Sequence, residues 1–524
     1  MLVYPSVQKF NLIFNEYDDF IAVYKPEGFR THKVSENQWG FVETLSASLR
    51  RPLWVVHRLD KDTSGVILFA KSKDAAAQLS SLFESHQINK TYYFLTDKKA
   101  DFKSIKVNSL IEKNDHSFVS IKSETPNSET AFECVKSAGA LQLWKAQPRT
   151  GKPHQIRLHA QDVGLAILGD KEHGGSDFYR LCLHAAELEF NWKSEVIKLS
   201  APLPPSFDRQ QSSLFDYFSD HWFRLAQIYS WDCAQSFRLI DFSESEIVAD
   251  IYGETLWVYW YKKTEPTEND VAEIKKFSDE KKLQFVIRHM INRGQGVSDK
   301  DQKKIIHSQS QPSTWVASEN NLKALLKTDA GFSPGLFLDQ SVNRQWVFEN
   351  SHHKKVLNLF SYTSIFSVAA ALGQARQVTT VDASISFLNW SKENFTLNSV
   401  DPAKHEFFVQ DCVLFLNGSI KRKRQWDLII CDPPSFGRTK TTVWKIEKNL
   451  PELAKGLWAS LAPQGQLLFT CNYENWDLDE LKDVFKKTLK GQKFEIQNLP
   501  PNTMDFGFYD EKKNPTKGFF LRKN

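Results

Sequence analysis

The sequence predicts a multidomain protein. Its parts are an α+β unit on a mixed or antiparallel sheet, a small α/β middle module, and a C-terminal α/β unit with a doubly wound parallel sheet. Three observations carry this. The chain has 524 residues, whereas a single hydrophobic core stops growing at roughly 250–300. The first ~215 residues are rich in short β-type runs such as FIAVYKP, GVILFAK and TYYFLT. Beyond about residue 350, apolar strand and helix patterns alternate, which favours a parallel sheet with helices on both faces.

The elements follow in order. Two amphipathic stretches, near Trp39–Leu49 and Asp74–Ser85, predict helices between the early strands. The segment WVVHRLDKDTSGVILFAK sets a charged turn, His57 to Asp62, between two apolar strands. APLPPSFDRQQSS (201–213) is rich in Pro, Ser and Gln and predicts a linker. FRLIDFSESEIVADIYGETLWVYWYKK predicts a meander turning at Ser243–Glu246 and Gly253-Glu254. VAEIKKFSDEKKLQFVIRHM predicts one charged helix. VLNLF, QVTTVD, EFFVQD, WDLIICD and GQLLFT then predict strands, separated by helical SIFSVAAALG, SISFLNWSKENFTLN, LPELAKGLWASLA and DLDELKDVFKKTLK. The expected units are 1–215, 216–345 and 346–524.

Composition narrows the function classes. Apolar residues make up 41% and charged residues 25%, which is ordinary for a globular chain and excludes coiled coil, collagen and disorder. No apolar run reaches the ~20 residues of a membrane span, and the start, MLVYPSVQKF, lacks the pattern of a signal peptide. Six scattered cysteines without a CxxC fit neither a disulfide framework nor a zinc site, so a cytoplasmic location is expected. The net charge of +4 does not by itself point to nucleic acid. The densest basic patch is Lys421-Arg422-Lys423-Arg424, read either as a solvated loop or as a grip on phosphates.

On composition alone, HRLDKDTSG (57–65) is a solvated hairpin tip. The string nevertheless resembles the signature loop of the RluA-type RNA pseudouridine synthases. Four further segments match in order: KPEGFRTHK (25–33), NKTYYFLT (89–96), PRTGKPHQIRLHAQDVGLAILGDKEHGG (148–175) and LCLHAAELEF (181–190). The resemblance implies the pseudouridine synthase fold and four catalytic residues. Asp60 acts as nucleophile or as base; the sequence leaves both open. Arg157 keeps that carboxylate ionised and aimed. Tyr92 stacks on the extruded uracil and shuttles a proton. Arg58 fills the space the base leaves, at a base-flipping cost of a few kcal/mol. No metal or organic cofactor is expected there. Lys152 departs from the family's usual Arg and loses the planar fork.

The second constellation begins with KVLNLFSYTSIFSVAAALGQARQVTTVDAS (355–384), a strand, turn, helix and strand ending in an acid. Ligands of doubly wound sheets sit at such strand ends. Asp382 there is suited to a ribose diol and Asp411 to an adenine edge; the alternative is that both cap strand ends. WDLIICDPPSFGRTK (426–440) resembles the D/N-P-P loop of class I S-adenosylmethionine-dependent methyltransferases. FSPGLFLDQSVNR (332–344) and FRLIDFSESEIVADIYG (237–253) resemble the large-subunit rRNA methyltransferases that make 5-methylcytosine or 7-methylguanine. This resemblance implies a Rossmann-like domain binding S-adenosyl-L-methionine through Phe360, Ser361, Thr363, Asp382, Asp411, Asp432 and Pro433, with Asp339 and Arg344 by the cofactor entrance. Asp432 followed by Ser435 argues against adenine-N6 methylation.

Two departures bear on activity. Ser364 stands where the family has Gly, and its side chain is expected to weaken the backbone's approach to the cofactor; Ser341 stands for a usual Arg. Cys471 occupies the place of the 5-methylcytosine nucleophile, whereas Asn472 and Trp476 resemble the 7-methylguanine relatives. Cys471 can equally be a small buried hydrophobe. The expected function is therefore bifunctional RNA modification, uridine isomerisation plus base methylation, with rRNA the first substrate class and tRNA the second. The alternative keeps only the isomerase, with a degenerate C-terminal half that binds RNA. No membrane or metal partner is expected.

Overall fold

The structure is a computed structural model that describes residues 13–33, 40–115, 117–208, 213–228, 235–241, 246–290, 303–308, 313–330, 333–438, 443–500, 504–506 and 516–524. Residues 243–245 of the expected Ser243–Glu246 turn, residues 209–212 of the expected linker, and Cys233 lie outside these.

The N-terminal runs build an 11-stranded sheet. Its middle strands are Phe20–Lys25, Ser64–Ala70, Leu183–Trp192 and Asn89–Thr96. Pairing is antiparallel except where Ser64–Ala70 meets Leu183–Trp192, so the sheet is mixed, as expected. Phe20–Lys25 and Ser64–Ala70 are buried along their whole length, which explains their unbroken apolar runs. Gly65 is required at the parallel contact: its φ is +122°, and an added Cβ would lie 2.1 Å from the Ala185 carbonyl oxygen. Helices Phe41–Ser48 and Lys73–Glu84 fall where the sequence predicts them; Ser72 caps the second by accepting from the Ala75 N–H.

The expected linker is more packed than its composition suggests. Pro205–Asp208 forms a 3-10 turn, and Phe207 is buried beneath Arg180. Arg180 lies 3.6 Å from both Glu27 and Asp220; Arg180 and Asp220 are deeply buried, and Glu27 is partly so. Asp220 belongs to helix Leu214–Ile228, so this ion group ties that helix to the N-terminal sheet. One apolar core runs from Phe20 through Phe215 and Leu225 to Ile287.

The middle sheet has five strands: Ser236–Ile240, Ile247–Tyr252, Thr255–Trp260, Gln284–Met290 and Lys303–Ser308. The single long helix expected over 271–290 is corrected here. The helix is Glu268–Lys281, opened by a Thr267/Asp270 capping box and closed by Lys282 in the left-handed region. QFVIRHM is instead a strand paired in parallel with Thr255–Trp260, and Phe285, Val286 and Ile287 are fully buried. Tertiary burial overrode the helical charge pattern.

The C-terminal sheet has seven strands, ordered Glu406–Val409, Gln377–Asp382, Lys355–Leu359, Trp426–Cys431, Leu461–Cys471, Lys517–Lys523, Phe494–Asn498. The first five are parallel, and the Lys517–Lys523 strand enters antiparallel. Strand order reverses between Lys355–Leu359 and Trp426–Cys431, so the crevice at their carboxyl ends is where such sheets take ligands. No helix among the described residues is long and apolar enough to cross a membrane.

Candidate functional site

The loop carrying Asp60 is clamped from below by the KPEG segment. Lys25, fully buried, donates to the carbonyls of Pro26, Lys61 and Thr63 at 3.0, 2.9 and 2.8 Å. Burial pulls its pKa down to about 7, against the opposing charges of Asp62, Glu27 and Asp60. Thr31 brackets Leu59, donating to its carbonyl at 3.0 Å and accepting from its N–H at 3.3 Å. His57 accepts from the Leu68 N–H and stacks on Phe83; burial pushes it down to about 3, so it is a neutral strut. Arg58 is exposed at the loop's tip and Asp60 is half-buried.

Arg157 projects from helix Gln155–Asp162, which opens at His154 in the left-handed region. The structure brings Arg157 and Asp60 together, but at 3.9 Å. The guanidinium is gripped harder by Asp170, through Nε at 2.7 Å and Nη2 at 2.6 Å, and Nη2 also donates to Glu172 at 2.8 Å. Burial opposes the arginine's charge, yet the Asp170 bonds and the Asp170 and Asp60 charges outweigh it and hold its pKa above the ordinary value. Tyr92 faces the same acid: burial first, and then the Asp60 charge, raise its hydroxyl well above the usual tyrosine range, so it stays protonated. Asp60, Arg157 and Tyr92 thus lie together, and Arg58 is exposed two positions before Asp60. Lys25, Thr31, Asp170 and Glu172 were not singled out from sequence, although a lysine inside an apolar run was a visible signal.

In the C-terminal unit the Phe360–Ser364 turn lies past the end of strand Lys355–Leu359. Phe360, Tyr362 and Ser364 all have left-handed φ, +55°, +48° and +63°. Ser364 is strained by about 1 kcal/mol there, and its Oγ contacts the Ser391 hydroxyl at 2.6 Å, on helix Ile385–Leu397. The side chain therefore points down onto that helix. Thr363 is also spent on structure, donating to the Gly335 carbonyl. Gly335 is needed in turn: its φ is +135°, and a Cβ would strike Trp390 at 2.5 Å. The Phe360 N–H points at the Cys412 sulfur.

Asp382 accepts from the Tyr362 and Ser384 N–H groups, each at 2.9 Å and each on a different oxygen. Lone pairs remain on both oxygens for a diol. Burial raises its pKa. Asp411 caps helix Cys412–Lys421, accepting from the Val413 and Leu414 N–H groups. The Ser361 hydroxyl is buried without a partner among the described residues. An orphaned hydroxyl beside a left-handed turn, with an acid holding spare acceptors, fits a ligand with ribose and amino-acid groups such as S-adenosylmethionine.

Asp432 ends strand Trp426–Cys431 and meets neutral donors. Gln340 Nε2 lies 3.3 Å from both its carboxylate and the Thr470 hydroxyl, and Gln340 is held by Asn343 at 2.7 Å. Burial raises Asp432 to about 6; the Asp339 charge adds, while Thr470, Arg344 and Gln340 oppose. Pro433 is buried, the Trp444 ring N–H donates to the Pro434 carbonyl at 2.6 Å, and Ser435 donates to Asn472 at 3.0 Å, which fixes the loop. Cys471 is 1% exposed, and burial pushes its thiol up to about 12. Arg344 is buried, paired with Glu319 and donating to the Phe337 carbonyl, so its fork closes the joint between strand Thr314–Glu319 and helix Ser341–Asn350, while its charge still reaches Asp432. Asp339 instead accepts from Thr516, near Asp432. In the basic patch, Arg424 pairs with Glu406 and covers Trp426 and Phe408, leaving Lys421, Arg422 and Lys423 exposed.

Two family models match the chain. Residues 19–162 match the family model for RNA pseudouridylate synthase, and residues 284–497 match that for S-adenosylmethionine-dependent methyltransferase. A "Ribosomal RNA large subunit methyltransferase K/L" of Pseudoalteromonas atlantica is 38% identical over 182 residues, which cover 33% of this chain and 25% of that relative. The protein of the same name from Pseudoalteromonas translucida is 30% identical over 285 residues, 52% of this chain and 38% of the relative. The chain thus spans a quarter to two-fifths of the length of these relatives. Among solved structures, a candidate S-adenosylmethionine-dependent methyltransferase from Streptococcus mutans shares the fold, with 22% identity, a TM-score of 0.52, and coverage of 65% of this chain and 88% of the other. The chain therefore joins a segment that matches the pseudouridylate synthase model to one that matches the methyltransferase model and has a Rossmann-like sheet.

Proposed function

We propose that this chain modifies RNA twice, isomerising a uridine to pseudouridine in its N-terminal half and methylating a guanine at N7 in its C-terminal half, with ribosomal RNA as substrate. In the first half, Asp60 meets an extruded uridine as nucleophile or base. Arg157, anchored by Asp170 and Glu172, holds positive charge 3.9 Å away. Tyr92 stays a protonated donor under the base, and exposed Arg58 occupies the vacated stack.

In the second half, Phe360, Ser361, Asp382 and Pro433 surround the cofactor, with Asp411 fixing the helix beside it. S-adenosylmethionine, when bound, supplies an electrophilic methyl group. The observation that carries guanine over cytosine is the pair of acid–base environments at the end of the sheet. A thiol at about 12 leaves roughly one molecule in 10⁵ as thiolate at neutral pH, too little for the covalent attack that cytosine C5 requires. Asp432 at about 6 is ionised at neutral pH and is then acceptor-only. It suits the N1–H and N2–H₂ donors of guanine and mismatches the mixed edge of cytosine. Guanine N7 is already nucleophilic and needs no covalent catalyst. The relatives' names favour rRNA, and tethering two sites raises the effective concentration of a shared target.

Deleting the gene and mapping rRNA and tRNA modifications by mass spectrometry tests this. The expected result is loss of one pseudouridine and one 7-methylguanine in the same rRNA. Loss of a 5-methylcytosine instead would refute the guanine reading, and an unchanged map would refute the whole.

A further inference from the structure

Behind Arg157 lies a cluster whose two histidines neither reaction uses. His154 Nδ1 and His173 Nε2 face one another at 3.0 Å, with their rings nearly perpendicular at 82°. Glu172 Oε2 lies 3.7 Å from the first nitrogen and 4.0 Å from the second. It is the one three-residue group of metal-ligating side chains among the described residues. Two ring nitrogens so close are bridged by one proton, so one offers its lone pair to the other's N–H. His173 is buried, which keeps its ring in place beside His154.

We propose that His154, Glu172 and His173 form a binding site for a divalent transition metal of the zinc class. The ion takes the place of the bridging proton, accepting a lone pair from each imidazole and one from the carboxylate, while that proton moves to the other nitrogen of the ring that held it, so both imidazoles stay neutral. Ligand atoms around a tetrahedral zinc stand about 3.3 Å apart. The three separations here straddle that value, so small side-chain rotations close the site. Two imidazoles and one carboxylate favour zinc over magnesium or calcium. A fourth position stays open to water, because Glu172 is exposed. His154 is already held in place by its left-handed backbone at the start of the Arg157 helix, and the His173 N–H is anchored on Asp170 Oδ1 at 3.2 Å.

The site is coupled to the isomerase centre through one atom. Glu172 Oε2 also accepts from Arg157 at 2.8 Å. An ion that takes this oxygen leaves Arg157 to Asp170 and Asp60, so metal loading reaches the catalytic pair without touching substrate.

Calorimetric titration of the full chain with zinc chloride, paired with the visible spectrum of the cobalt(II) form, tests the site. One site filling at about micromolar free zinc is expected, with tetrahedral cobalt bands and no thiolate charge-transfer absorption. His154→Ala, on a partly exposed side chain, is expected to weaken binding by at least about a hundredfold, and Glu172→Gln by about tenfold, each with an unchanged circular dichroism spectrum. Zinc binding that is absent at millimolar metal, that survives His154→Ala, or that carries a thiolate band would overturn the proposal.

Discussion

Asp60 and Asp432 are the acids around which the two halves are organised, and they are held in opposite ways. Asp60 sits on a clamped loop facing a guanidinium that is already shared with Asp170 and Glu172. Asp432 ends a buried strand among an amide and a hydroxyl, and it is pushed up to about 6. The first site stores its positive charge in an anchored arginine, so its acid is governed by ion-pair geometry. The second tunes its acid by desolvation, so it is governed by proton affinity. One half should therefore respond steeply to lost charge and the other to pH.

The largest expected effect separates the halves outright. Asp60→Asn should lower uridine isomerisation by at least about 10³-fold, while methyl transfer stays within about twofold; tritium release from labelled uridine and methyl incorporation, read on the same preparation, check both. Residual isomerisation near the wild-type rate would break the comparison at its root.

Asp432→Asn should cost methyl transfer about 10²-fold and leave isomerisation intact. In the wild type, methyl transfer should fall as pH drops through about 6, because protonation removes the acceptor. A raised acid stabilises the fold below its unfolded pKa and loses that contribution as pH rises through the folded one. Stability and methylation should thus move oppositely across this window, and a flat rate profile from pH 5 to 7 would show that desolvation of Asp432 is irrelevant to turnover.

Lys25→Met tests the clamp. Three backbone carbonyls would lose their buried donor, so the chain should lose about 2–4 kcal/mol and isomerisation about tenfold. Thermal melts and kcat together check it; unchanged kcat would mean the Asp60 loop holds its shape unaided.

The smallest effects concern Cys471 and Ser364. Cys471→Ala should leave methyl transfer within about threefold, whereas a nucleophile's loss would abolish it. Ser364→Gly exchanges about 1 kcal/mol of left-handed strain for a lost hydrogen bond to Ser391. Cofactor affinity by calorimetry should therefore shift less than about threefold. A tenfold gain would show that this side chain does crowd the cofactor.

Much of this was legible locally. Apolar runs announced the strands, Ser72 and Thr267 announced helix starts, and the loop strings around Asp60, Arg157 and Asp432 pointed to their chemistry. The failure was of another kind. QFVIRHM reads as helix until it is seen buried beside Thr255–Trp260.

By itself, the sequence determined the doubly wound C-terminal unit and the loop strings that carry Asp60 and Asp432, because residue type and hydrophobic period are local properties. Only the tertiary structure decided that Arg157 leans on Asp170 before Asp60, that Lys25 lies beneath the loop, and that Cys471 is sealed away. Burial and long-range pairing set proton affinities and charge geometry, and both depend on residues far apart in the chain.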